Sequence, residues 1–146
     1  MTATAARLFD ILLVEDDPAD AGLARRALCQ DGIACRISHV RDGVEALAYL
    51  RRQPPFTTAM RPDLVLLDLN MPGMDGRQVL EVIKNDKELK MIPVVVLTTS
   101  DMDRDVNASY LLGANSVIAK PMNMDTFCGA IRSMKAYWFD VVRLPR

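Results

Sequence analysis

Two kinds of segment take turns along the chain. FDILLV (9–14), LVLL (64–67) and IPVVVL (92–97) are short apolar runs, and they end at Glu15, Asp68 and Thr98. SVIA (116–119) is shorter and ends at Lys120-Pro121. CRISHV (35–40) alternates apolar with polar and predicts a strand nearer a sheet edge. Near-continuous β-branched runs mark strands covered on both faces, which is the condition of a parallel sheet.

Helical patterns separate these runs. Asp17 before Pro18 reads as an N-cap with proline in the first helical position, and Gly32 as the stop. Asp42-x-x-Glu45 and Asp75-x-x-Gln78 resemble capping boxes. Ser100 or Asp101 is expected to cap a helix running to about Leu112, which Gly113 ends. The last helix starts near Asn123, and Phe127, Ile131, Met134 and Trp138 form one inward stripe along it. Five strands alternating with five helices predict an α/β three-layer sandwich with helices on both faces of a parallel sheet. The Pro-rich stretch 53–62 reads as a loop. The chain divides into an N-terminal arm (1–8), one domain (9–138) and an apolar tail (139–146).

Composition narrows the function classes. The 146 residues carry a formal net charge of −1, which argues against a general nucleic-acid binder, since that needs a basic face. No apolar run approaches the ~20 residues of a membrane span, and the first ten residues do not form a secretion signal. Cys29, Cys35 and Cys128 are far apart and in no metal-ligand spacing, which points to reduced thiols and a cytoplasmic protein.

Candidate chemistry collects just past the strand ends, where open parallel sheets bind ligands. Glu15 and Asp16, Asp68, Thr98 and Lys120 supply carboxylates, a hydroxyl and an ammonium there. Two like charges 4 Å apart repel by about 4 kcal/mol at an effective dielectric near 20. A hard divalent cation, Mg²⁺ or Mn²⁺, relieves that repulsion. A carboxylate beside such an ion can attack phosphorus and form an aspartyl phosphate.

LVEDD (13–17), LDLNMPGMDG (67–76), LTTS (97–100) and Lys120-Pro121, in this order and each at a strand end, resemble the receiver domain of two-component response regulators. The resemblance implies a flavodoxin-like sheet of strand order 2-1-3-4-5. It makes Asp68 the phosphoacceptor. Asp16 becomes the direct metal ligand, Glu15 its neighbour acting through water, and Asn70 the donor of a carbonyl to the metal. Thr98 and Lys120 become the groups that bind the phosphoryl oxygens. It implies that Asn70 and Ser100, two places past Asp68 and Thr98, tune dephosphorylation. Val117 stands where the family usually has an aromatic, three residues before the lysine, which departs from the usual switch. Glu-Asp-Asp-Pro near the start, the Pro-rich stretch before Arg61, Leu-Thr-Thr-Ser and the aromatic C-terminus resemble single-domain regulators paired with phytochrome histidine kinases. A phosphoacceptor signalling protein fed by such a kinase, and not an enzyme with turnover, is the implied function.

The remaining residues have plainer readings. His39, the single histidine, is expected outside the pocket in a structural or surface role, so the phosphoryl must come from another protein. Tyr137, Phe139, Val141, Val142 and Leu144 are expected to form an exposed apolar patch, the interface of a two-fold homodimer. No DNA-binding unit is expected after residue 140. A Mg²⁺-dependent phosphohydrolase using Asp68 is the alternative. Such enzymes usually carry an acid two residues after the nucleophile, where this chain has Asn70.

Overall fold

The computed structural model describes residues 8–29, 34–71, 73–99, 102–120 and 123–145. Strands and helices alternate as β1 (Phe9–Val14), α1 (Pro18–Leu28), β2 (Cys35–Val40), α2 (Gly43–Leu50), β3 (Leu64–Asp68), α3 (Gly76–Asn85), β4 (Val94–Thr98), α4 (Asp103–Leu111), β5 (Ser116–Ala119) and α5 (Met124–Ala136). All strand pairs are parallel, in the order β2-β1-β3-β4-β5. This is the flavodoxin-like sheet that the family resemblance implies.

Strand periodicity divides the core in two. Leu12, Val14, Val65, Leu67, Val94 and Val96 face Ala46, Leu47, Val79, Leu80 and Ile83 of α2 and α3. Ile11, Leu13, Leu64, Leu66, Val95 and Leu97 face Ala24, Leu28, Phe127 and Ile131 of α1 and α5. Every residue of β3 and β4 is buried, whereas β2 at one edge buries fully only Val40. That contrast is why β3 and β4 read as continuous apolar runs and β2 as an alternating one.

The helix starts follow local chemistry. Asp17 accepts from the Ala19 and Asp20 amides, with Pro18 at the first helical position. Asp75 and Gln78 form a full capping box. Asp42 caps α2 through the Glu45 amide, but the Glu45 carboxylate accepts from Arg41 N, one residue earlier than a capping box requires. Helix α4 departs from expectation. Its N-cap is Met102, with no side-chain cap bond, and Ser100 and Asp101 lie outside the described residues, as does the expected stop at Gly32.

The C-terminus corrects the sequence reading of the tail. Residues Tyr137–Val141 form a π-helical turn, closed by Val142 N donating to Tyr137 O at 3.0 Å. The wider turn accommodates an extra residue and so carries Phe139 inward one place past the α-helical stripe. Phe139 is 9% exposed and stacks on Phe9 with ring centroids 4.2 Å apart. It therefore belongs to the core and not to an exposed patch. Trp138 is half-buried beside it, and Leu144 and Val142 are half-buried too. Of the five residues expected to be exposed, only Tyr137 (52%) and Val141 (71%) are exposed.

Candidate functional site

The site lies past the carboxyl ends of β1, β3, β4 and β5. Glu15, the residue after β1, is buried. Its backbone is held on two sides: its N–H donates to Val40 O at 3.1 Å, and its carbonyl lies 2.8 Å from His39 Nε2. The next two acids divide their work. Asp17 is taken up by capping α1, which leaves the half-buried Asp16 for the pocket.

Asp68 is the last residue of β3 and is buried. Its Oδ1 accepts from Asn70 N at 3.1 Å, which fixes the chain as it leaves the strand. Helix α3 begins directly under this turn. A Cβ on Gly76 would lie 2.4 Å from Asp68 O and 2.6 Å from Leu69 Cα, so only glycine lets the helix start this close to Asp68. Thr98 ends β4 and is buried. Lys120 follows β5, held by its N–H donating to Thr98 O at 2.6 Å.

Three carboxylates and the ammonium meet. Ligand oxygens of Glu15, Asp16 and Asp68 all lie within 4.8 Å of one another. Lys120 Nζ is 2.7 Å from Glu15 Oε1, 3.4 Å from Asp20 Oδ2 and 3.5 Å from Asp68 Oδ1. Burial lowers the Lys120 pKa, but the hydrogen bond to Glu15 and the fields of Asp68, Glu15 and Asp20 outweigh it, so the ammonium holds its proton more tightly than usual. Glu15 is pushed up to about 8, first by burial and then by Asp68 beside it, with Lys120 acting the other way. Among the described residues its Oε2 is buried without a hydrogen-bond partner.

A hard divalent cation fits this donor set. The residues offer three carboxyl groups, one with an orphaned buried oxygen, and the ion would supply the positive charge that the cluster needs. Such an ion would take Glu15, Asp16 and Asp68 as its acidic neighbours.

Several participants were not foreseen. Asp20 has the legible signal of an acid in the first turn after Asp17, yet its reach to Lys120 depends on how α1 packs. Thr99 accepts from Asn70 Nδ2 at 2.9 Å, tying the β3 and β4 loops together at the rim. His39 contacts the Glu15 backbone and so supports the acidic loop from outside the pocket. Tyr110 of α4 accepts the Val117 amide of β5 at 3.2 Å, so an aromatic from the helix contacts the strand position where the family usually carries its own. Ser100 lies outside the described residues.

The response regulator receiver domain model matches residues 11–132. The chain belongs to the response regulator receiver family. This receiver is 43% identical over 135 residues to Response regulator Rcp1 of Synechocystis sp., with 92% of each chain covered. It is 42% identical over 137 residues to the Probable methanogenesis regulatory protein FilR2 of Methanothrix harundinacea, covering 94% of this chain and 88% of that one. Among solved structures, it superimposes on the phosphorylated cyanobacterial phytochrome response regulator RcpA with a TM-score of 0.91 at 43% identity, covering 96% of this chain and all (100%) of that one. The Mn²⁺-bound form of Rcp1 matches with a TM-score of 0.89 at 42% identity, over 94% of this chain and 99% of that one. The receiver fold is thus shared by this chain and its relatives, and the oxygens of Glu15, Asp16 and Asp68 converge in this chain where an ion could sit.

Proposed function

We propose that this receiver accepts a phosphoryl group on Asp68 from the phosphohistidine of a phytochrome-type histidine kinase and passes the signal on through protein contacts. The carrying observation is the acidic cluster at Asp68 with the Lys120 ammonium 3.5 Å away. An Asp68 oxygen attacks phosphorus in line, the P–N bond breaks, and the departing imidazole keeps the electron pair. A bound Mg²⁺, or Mn²⁺ in its place, supplies charge neutralisation for the transferring group. Glu15 and Asp16 hold the acidic side of the pocket, and the Asn70 carbonyl is our fourth metal ligand. Lys120 turns from Glu15 toward a phosphoryl oxygen, and the Thr98 hydroxyl donates to another.

The product adds about −1.5 to −2 charge. Repositioned Thr98 and Lys120 then shift the balance of conformers in the adjoining loops and in α4, which Tyr110 pins to β5. Asn70 and Ser100 govern water access to the acyl phosphate and hence its lifetime. Sustained turnover of free phosphate esters is not part of this reading, because Asn70 and not an acid stands two residues past Asp68. The setting is the cytoplasm. Among the described residues no helix is long and apolar enough to cross a membrane. Tyr137 and Val141, flanked by Val142 and Leu144, form our candidate two-fold homodimer contact.

The test is phosphotransfer from a kinase of this type charged with labelled ATP. Wild type acquires label that hydroxylamine releases, and Asp68→Asn does not. Undiminished label on Asp68→Asn would end the proposal.

A further inference from the structure

At the far end of the sheet from Asp68, the chain builds a basic depression that phosphotransfer does not use. It holds about 220 Å³ and is lined by Leu50, Arg51, Arg52, Arg61, Glu88 and Leu89. Arg61 lies three residues before β3 and Asp68 ends that strand, so the two ends are on the order of 20 Å apart.

The backbone at Arg52 is unusual. Helix α2 closes with Arg52 N donating to Tyr49 O (3.1 Å) and Gln53 N to Ala48 O (2.8 Å), the paired bonds of a Schellman cap. In that motif the residue after the cap takes a left-handed conformation and is usually glycine. Here it is Arg52, with φ of 54°, the one positive-φ residue other than glycine among those described. A side chain at this position is disfavoured, yet the position holds a long cation.

That cation is not used internally. Among the described residues the Arg52 guanidinium makes no hydrogen bond or ion pair. Arg51 is 3.7 Å from Asp86 Oδ2, and Arg61 donates to the Glu88 carbonyl at 3.2 Å, a bond that leaves its charge uncompensated. Arg51, Arg52 and Arg61 thus line one depression together with a single acidic residue, Glu88, while Asp86 offsets part of the charge of Arg51. Guanidinium forks match the paired oxygens of phosphates. The small concave volume suits a compact oxyanion better than an extended acidic peptide.

We infer that Arg51, Arg52 and Arg61 form a binding site for a phosphate-bearing anion, a diphosphate being the best fit, at the end of the sheet opposite Asp68. The inference stands apart from the proposed phosphotransfer and survives its failure. It is tested on the ¹⁵N-labelled full chain, without divalent cations and at constant ionic strength, by titrating pyrophosphate and, in a second arm, ADP.

Saturable shifts are expected at the amides of Arg52, Arg61 and Glu88 and not at Asp68 or Thr98. Shifts with pyrophosphate alone identify a free diphosphate, and shifts with both identify the diphosphate group in either setting. Arg52→Gly should weaken binding by about ten-fold or more, as loss of one charged hydrogen-bonding partner does. The same variant should melt no lower than wild type, since glycine is the favoured residue there, so lost binding cannot be ascribed to misfolding. Equal affinity in both proteins, shifts confined to the Asp68 end, or no saturable shift with either anion would overturn the site. Saturation by a glutamate-rich peptide but not by pyrophosphate would overturn its ligand class.

Discussion

Lys120 Nζ lies 2.7 Å from Glu15 Oε1, closer than its 3.5 Å to Asp68 Oδ1. The ammonium thus belongs to the acidic pocket and is hydrogen-bonded chiefly to a side chain, Glu15, that is not the proposed phosphoacceptor. An arriving phosphoryl group or cation competes for the same charges, so the resting pair is one that phosphorylation can exchange.

Lys120→Met should destabilise the metal-free protein by about 3 kcal/mol, because it leaves buried carboxylates without their partner. Urea unfolding monitored by circular dichroism measures this, and added Mg²⁺ should recover part of the loss. A variant as stable as wild type without metal would show that the pair holds nothing together.

Neutralising an acid should act in the opposite direction. Asp68→Asn relieves carboxylate repulsion and is expected to raise metal-free stability by about 1–2 kcal/mol. It should also remove the stabilisation by Mg²⁺, which at a hundredfold excess over Kd amounts to about 2.7 kcal/mol in wild type. Thermal melts with and without MgCl₂ separate the two effects.

Lys84 ties α3 to two loops by donating to Lys90 O (3.0 Å), Ile92 O (2.9 Å) and Asn115 Oδ1 (3.0 Å). Lys84→Met strands these acceptors and should cost about 1–2 kcal/mol. Burial holds the Lys84 pKa below its ordinary 10.5. As pH climbs toward 10.5 the folded chain gives up this proton before the unfolded chain does, so this group's contribution to stability rises. The deficit of Lys84→Met relative to wild type should therefore widen between pH 8 and pH 10 in denaturant titrations. A deficit that narrows contradicts the assignment.

Phe139 and Val141 should separate folding from association. Phe139→Ala removes a buried ring stacked on Phe9 and should cost about 3 kcal/mol. Val141→Ala lies on the surface and should change stability by less than about 0.5 kcal/mol. If the proposed dimer forms there, Val141→Ala lowers the molar mass measured by light scattering while leaving the melting temperature in place. Beryllofluoride, added as a mimic of the phosphoryl group, then reports whether association follows phosphorylation.

The alternation of strand and helix was legible because periodicity and capping are local. A short apolar run that ends at a polar residue announces its strand without help from the rest of the chain, and Asp17-Pro18 or Asp75-x-x-Gln78 starts its helix within one turn. The strand-end residues Glu15, Asp68, Thr98 and Lys120 were legible for the same reason. The tail was not. Whether residue 138 or 139 points inward depends on one π-helical turn, and the Phe9 ring that rewards the change lies 130 positions earlier.

By itself, then, the sequence determined the order of elements, the strands covered on both faces and the roster of strand-end side chains, since each is written in a pattern only a few residues long. Only the tertiary structure decided which of those groups touch. Lys120 and Glu15 are 105 positions apart, Lys120 and Asp20 are 100 apart, and Tyr110 reaches a strand it does not belong to. Such contacts depend on the packing angle of helix on sheet to within an ångström. That angle is set by the summed fit of many buried side chains, a quantity that no local pattern contains.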